Sequence, residues 1–239
     1  MFNSDNHQSR SLVTREAILS TALSLFRQRG LDNTTMRDIA QQAGVALGSA
    51  YYYYESKQAI LQAYYDQVQQ LHHARVVEAL SNKDLSFEDR LKAAFHSKLD
   101  ILHNDRKILG ALFRYAGEPS HPLSPLGPAT RQHREQSMAT FRLALANENL
   151  QDDIRAVLPS LLWAAHMGIL LYFIYDDSPG QTRVRKLVDG ALSLLTSMLF
   201  LVRTPLFMPF CGRFASLLHD AGLAPDGSAE SPIVNEELS

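Results

Sequence analysis

The chain holds almost nothing that could cross-link it. One of its 239 residues is cysteine, Cys211, which excludes an intramolecular disulfide framework and a cysteine-built zinc site. Cys211 itself reads as a small buried apolar residue, and its solitude fits a reducing compartment. Glycine and proline, 12 and 10 residues, are sparse and gathered at a few joints. Alternating strand patterns are scarce too, which argues against a sandwich or barrel. The formal net charge of −2 excludes a globally basic coat for nucleic acid. No apolar run reaches the roughly 20 residues of a membrane span. The longest, residues 161–175, carries His166 and reads as a buried helix, so no membrane partner is expected. Residues 1–10 are polar and lack the apolar segment of a secretory signal, and the expected location is cytoplasmic.

What is present is helical periodicity. Thr14 offers a cap for a first helix ending at 28 or 29, with Ala17, Ile18, Ala22, Leu25 and Phe26 as its apolar stripe and Gly30 as its stop. Thr34 and Thr35 cap a short second helix that turns Met36, Ile39, Ala40 and Ala43 inward. Ser56 caps a long helix reaching about residue 80, and the run Ser86 to Asp89 resembles a capping box opening a helix to about 103. Further helices are expected at about 106–116, 129–146, 152–176 and 181–202, the third possessing an internal Pro159. The proline-rich stretch 117–128 reads as a loop. A last helix is expected at 205–221, followed by a solvated, disordered tail. The fold class is all-α, divided into a flexible arm (1–12), a small head (13–58), a larger helical body (59–222) and the tail (223–239).

The head has its own chemistry. Residues 10–57 carry six Arg or Lys against four acids, near +2, while the remainder sits near −4. A small basic head on an acidic body suits contact with phosphates. Ala40, Gly44 and Val45 supply, in order, a small residue where two helices cross, a turn residue free to adopt positive φ, and an apolar plug. The stretch AGVALGSAYYYYESK then places four tyrosines in succession. Neighbours on a helix point about 100° apart, so Tyr54, four residues after Ala50, faces the core and the others face outward.

The segment TTMRDIAQQAGVALGSAYYYYESKQAIL resembles the DNA-binding signature of tetracycline-repressor-like (TetR family) transcriptional regulators. The likeness covers about 14–61 and includes the preceding LFRQRG. It carries the threonine cap, the Ile-Ala pair, the Ala-Gly-Val turn, a glycine in the recognition helix, the aromatic run and the lysine. One position departs from it: Ala46 stands where the family often uses a capping serine, an omission of about 1 kcal/mol. By this resemblance the protein is a regulator and not an enzyme, with no cofactor and no metal. Leu47, Gly48, Ser49 and Tyr52 are expected to face the major groove. Tyr51, Tyr53 and Lys57 are expected on phosphates, with Thr35 and Arg37 as further phosphate contacts.

The resemblance also implies a homodimer through the last two main helices, reading a near-palindromic double-stranded operator. Those helices are apolar most of the way round, with Leu161, Leu162, Ile169, Phe173, Leu187, Leu194 and Leu195 among others, and so need cover on more than one side. A small hydrophobic effector is expected in the body. Its candidate contacts are the soft or polar residues that interrupt apolar faces: His96, His103, Met138, Trp163, His166, Met167 and Tyr172. Their pocket is expected between the long fourth helix, the helix around His96 and the helix around Trp163. Two other readings stay open. One is a helix-turn-helix protein controlled by a protein partner without a small ligand. The other is a helical enzyme, for which the chain offers no nucleophile elbow, phosphate loop or metal motif.

Overall fold

The computed structural model describes residues 3–202, and side chains from 10 to 199. Cys211, the expected helix at 205–221 and the tail fall outside the described residues. Within them the architecture is all-α: α1 Asn3–Arg29, α2 Met36–Gln42, α3 Leu47–Tyr53, α4 Lys57–Leu80, α5 Phe87–Ile101, α6 Arg106–Phe113, α7 Arg131–Leu145, α8 Asp152–Tyr175 and α9 Thr182–Val202.

The caps account for most of the boundaries. Thr35 and Asp38 form a reciprocal capping box at α2. Ser56 accepts from the Ala59 amide at α4, and Ser86 accepts from the Asp89 amide at α5. The first helix begins earlier than the Thr14 cap suggested. Thr14 lies inside α1, its hydroxyl donating to the Arg10 carbonyl at 2.9 Å, so the stretch read as a flexible arm is helical from Asn3. No Gly or Pro interrupts residues 3–13, and a threonine can satisfy its hydroxyl by back-bonding as well as by capping.

Three helices make the head. α2 ends in a Schellman motif: Gly44, at φ +68°, donates to the Gln41 carbonyl, and the Val45 amide donates to Ala40 at 3.0 Å. That left-handed residue turns the chain sharply enough for α3 to cross α2. The crossing is sealed by Ile18, Ala22, Phe26, Ile39, Ala40, Ala50 and Tyr54, all buried.

The body packs α4 against α5 and α7, α7 against α8, and α5 against α9. Between α6 and α7 the prolines prevent an α-helix, and a succession of turns leads to a single 3-10 turn at Pro128–Thr130, with amide bonds from Glu118 to Tyr115, His121 to Glu118, Ser124 to His121 and Gly127 to Ser124. Gly127 is required there, because a Cβ would meet the Pro119 carbonyl oxygen at 2.4 Å. α8 runs through Pro159 without a break. It is long and apolar enough to cross a membrane by composition, but Leu162, His166, Ile169, Leu170 and Phe173 are buried within the bundle. Its other face leaves Ala164, Gly168, Leu171, Tyr172 and Tyr175 exposed. On α9, Leu187, Ala191, Leu194 and Met198 are exposed at helical spacing as well, while Leu195 packs against the core.

Candidate DNA-reading head and body cavity

The turn chemistry of the head decides which side chains of α3 are free. Ala50 and Tyr54 face inward, at 0% and 4% exposure, and the Arg15 guanidinium covers the Tyr54 ring 5.5 Å from its centre. Gly48, Tyr51 and Tyr52 are exposed, Tyr52 most of all at 83%. Tyr53 is half-buried and meets the Tyr52 ring edge-on at 5.2 Å. Ser49 is half-buried, and Leu47 packs partly on the core. The helix starts at Ala46 with no side-chain cap, as the sequence implied. Arg37 is exposed; the Thr35 hydroxyl donates to the Asp38 carboxylate at 2.7 Å. Lys57 stands at the first position of α4 and donates to the Leu31 carbonyl at 2.7 Å. An ammonium has three donors, so two remain for other acceptors.

Head and body meet at a polar latch that helix periodicity does not reveal. Asp105, the residue preceding α6, is 3% exposed. It accepts from Arg27 Nε of α1 at 2.5 Å and from the Tyr64 hydroxyl of α4 at 2.6 Å. Lys107 donates to the Gln28 carbonyl at 2.9 Å, and Arg114 to Asp32 at 2.8 Å. The end of α1 is thus tied to α6 as well as to α4.

The body holds a partly open cavity of about 80 Å³. Its walls come from α4, α5, α6, α7 and α8, with Pro125 of the turn-rich loop at one side. Trp163, His166 and Met167 line it. The other four candidate contacts do not belong to its lining. His96 turns to α9 and meets Asp189 at 2.8 Å. His103 is exposed just beyond α5, beside the Asp100 carbonyl at 2.9 Å. Met138 is buried but its sulfur takes the Ser160 hydroxyl at 3.5 Å. Tyr172 belongs to the outer face of α8. Each was singled out as a break in an apolar pattern, yet helix periodicity identifies a face without saying which neighbour covers it.

The lining holds polar groups that the sequence pass missed. Lys98 of α5 is 3% exposed and donates to Gln69 Oε1 of α4 at 2.9 Å. Gln69 in turn donates to the Ser137 hydroxyl of α7 at 2.8 Å. A signal for Lys98 existed: it falls in register with Leu91, Phe95 and Leu102 on the apolar face of its helix. Burial pushes the Lys98 ammonium down to about 7. Burial also pushes His72 down to about 3, with the Lys98 and His73 charges adding to the effect, and holds His166 well below its ordinary value with the help of His72 and Lys98. The His72 and His166 rings lie 6.0 Å apart.

Neutral buried histidines make stability fall with acid. Below about pH 6.5 the unfolded chain takes up protons that the folded chain refuses. The contribution of the histidines should therefore be intact above that pH and decline below it, by up to about 1.4 kcal/mol per pH unit for each. The depressed Lys98 acts with the same sign at higher pH, its loss accruing as pH falls from about 10 to about 7. Urea melts of wild type and His166→Phe between about pH 7.5 and about pH 5 should give the variant the shallower dependence. Equal slopes would show that His166 titrates normally in the folded chain.

Comparison with known proteins agrees with this geometry. Residues 18–64 match the family "Bacterial regulatory proteins, tetR family", and residues 90–206 match "Tetracyclin repressor-like, C-terminal domain". The chain belongs to the TetR family of DNA-binding transcriptional regulators, which are not enzymes. The HTH-type transcriptional repressor NemR of Escherichia coli K12 is 30% identical over 99 residues, covering 41% of this chain and 50% of that protein. The chain spans about half the length, or less, of the curated relatives it matches. A TetR regulator from Nitrosomonas europaea shares the fold at TM-score 0.61 and 20% identity, over 75% of this chain and 96% of that one. FadR of Thermus thermophilus, a TetR-family repressor solved with lauroyl-CoA, matches at TM-score 0.53 and 21% identity, over 74% and 92%.

Proposed function

We propose that the protein is a cytoplasmic repressor that binds a near-palindromic operator as a homodimer and is released by a small, largely apolar effector. The observation that carries the DNA half is α3 itself. Its inner face is sealed by Ala50 and Tyr54 while Gly48, Tyr51 and Tyr52 stay open. Gly48 permits close approach to base edges, Ser49 and Tyr52 read them, and Tyr51, Tyr53, Lys57, Thr35 and Arg37 hold phosphates. The exposed apolar faces of α8 and α9 support the dimer, and two heads suit two half-sites. The cavity behind α4 and α6 supports the effector. A ligand there presses on Tyr64 and, through Asp105, on Arg27, so that it acts on the angle of the head. The repressors named among the relatives and the lauroyl-CoA bound by a structural neighbour support the same reading.

Selection of bound DNA from random sequence tests it. Wild type should enrich an inverted repeat, and a pool that stays random would overturn the reading. Tyr52→Ala or Ser49→Ala should change the bases preferred at one position in each half-site. Lys57→Ala should weaken binding to all sequences and lower the salt slope by about one unit per head. An unchanged slope would leave Lys57 to its bond with Leu31 alone.

A further inference from the structure

The cavity has one feature that an apolar effector leaves unexplained, and it is the charge on its wall. Lys98 is almost fully buried, and among the described residues Gln69 is its one hydrogen-bond partner. Among the described residues the cavity lining contains no Asp or Glu. The other basic side chains there, Arg134 and His133, each already hold one partner. Arg134 donates to the Pro125 carbonyl at 2.9 Å, and its guanidinium lies 5.8 Å from the centre of the Trp163 ring. His133 meets Asp66 through Nε2 at 2.8 Å, while its buried Nδ1 has no hydrogen-bond partner among the described residues. His166 also lines the cavity, and among the described residues its buried Nε2 has no hydrogen-bond partner. Burying a cation without a counter-charge is costly, and folding alone would be better served by a methionine.

We infer that the cavity takes a compact ligand with an apolar body and one carboxylate, the carboxylate seated on the Lys98 ammonium. This rests on the reading of the cavity as the effector site and narrows its ligand to an anion. The ammonium has donors to spare beyond the one given to Gln69. The His166 tautomer with its proton on Nε2 offers another. Leu102, Leu109, Leu112, Leu170 and the ring of Trp163 surround the body of the ligand. The same contact reaches the head: Gln69 is on α4, so drawing Lys98 toward an anion loosens the chain Lys98–Gln69–Ser137 that ties α5, α4 and α7.

The test uses matched pairs in which only the charge differs. Phenylacetate and octanoate are titrated calorimetrically into the full chain beside their methyl esters, for wild type and Lys98→Met. Wild type should prefer each acid over its ester by about 10–100-fold, the range of a charge-assisted hydrogen bond in a buried site. Lys98→Met should lose that preference while keeping or improving its affinity for the esters. Its thermal midpoint should equal or exceed that of wild type, which separates a lost ligand contact from a damaged fold. Esters binding wild type as tightly as acids, or an acid preference that survives in Lys98→Met, would overturn the inference. Failure of both acids and esters to bind at millimolar concentration would overturn it also. The effector reading is judged separately, by whether neutral or cationic apolar compounds release the selected operator.

Discussion

Leu194→Glu is expected to leave the protein monomeric and to remove its operator binding in the same step. Leu194 is 63% exposed on α9, at helical spacing from Leu187 and Met198, which are exposed too. A dimer built on that face buries Leu194 against its twofold mate, so the substitution places a carboxylate in the interface from each subunit. An uncompensated buried charge costs several kcal/mol, and two of them raise the dissociation constant by on the order of 10⁴-fold. The monomer retains one head and loses the joint binding of two half-sites. Sedimentation velocity together with fluorescence anisotropy on the selected operator reads both effects. Leu126→Glu, in the turn-rich loop and also exposed, is the control that should remain dimeric. A Leu194→Glu dimer of wild-type stability would move the interface away from α9.

Tyr54→Ala is the substitution expected to damage the head most. The ring is buried in a core shared by Ile18, Phe26, Ile39 and Ile60, and removing a buried aromatic side chain costs about 3–5 kcal/mol. A head of this size has only a small margin of stability, which a loss of that order should exceed. Tyr54→Phe should cost far less, because the hydroxyl reaches the Arg15 carbonyl only at 3.5 Å. Hydrogen exchange resolves the outcome by region: protection should collapse in α1–α3 and persist in α5, α7 and α8. Protection kept in α1–α3 of Tyr54→Ala would show that the head does not depend on the ring. Under the proposed function the three neighbouring tyrosines bear on the operator instead, Tyr52 on base preference.

The two regions of the molecule were unequally legible in the sequence. Caps at Thr35, Ser56 and Ser86, the Gly44 turn and the inward face of Ala50 and Tyr54 all follow from interactions within a few residues of one another. A helix-turn-helix is made of such local interactions, so its sequence displays it. Thr14 is the local case that went otherwise, since the same side chain can cap a helix or bond back within one. The helical character of the body and the surplus apolarity of residues 152–202 were legible for the same reason: periodicity and composition are properties of a segment.

The contents of the body were decided by tertiary structure. Five helices converge on the cavity, and whether a residue lines it depends on neighbours far away in the chain. His96 went to Asp189 across 93 residues, and Asp105 joined Arg27 across 78. Periodicity puts Lys98 on the apolar face of α5, in register with Leu91, Phe95 and Leu102, but does not say what covers that face. Lys98 is buried because α4, α7 and α8 close over the apolar face of α5 on which it sits. The sequence by itself determined that this protein has a DNA-reading head on a helical body, because local backbone hydrogen bonds and side-chain period specify such elements. Only the packing of the helices decided where the body holds a charge in an apolar space, because burial is a property of the neighbours a residue acquires and not of the residue.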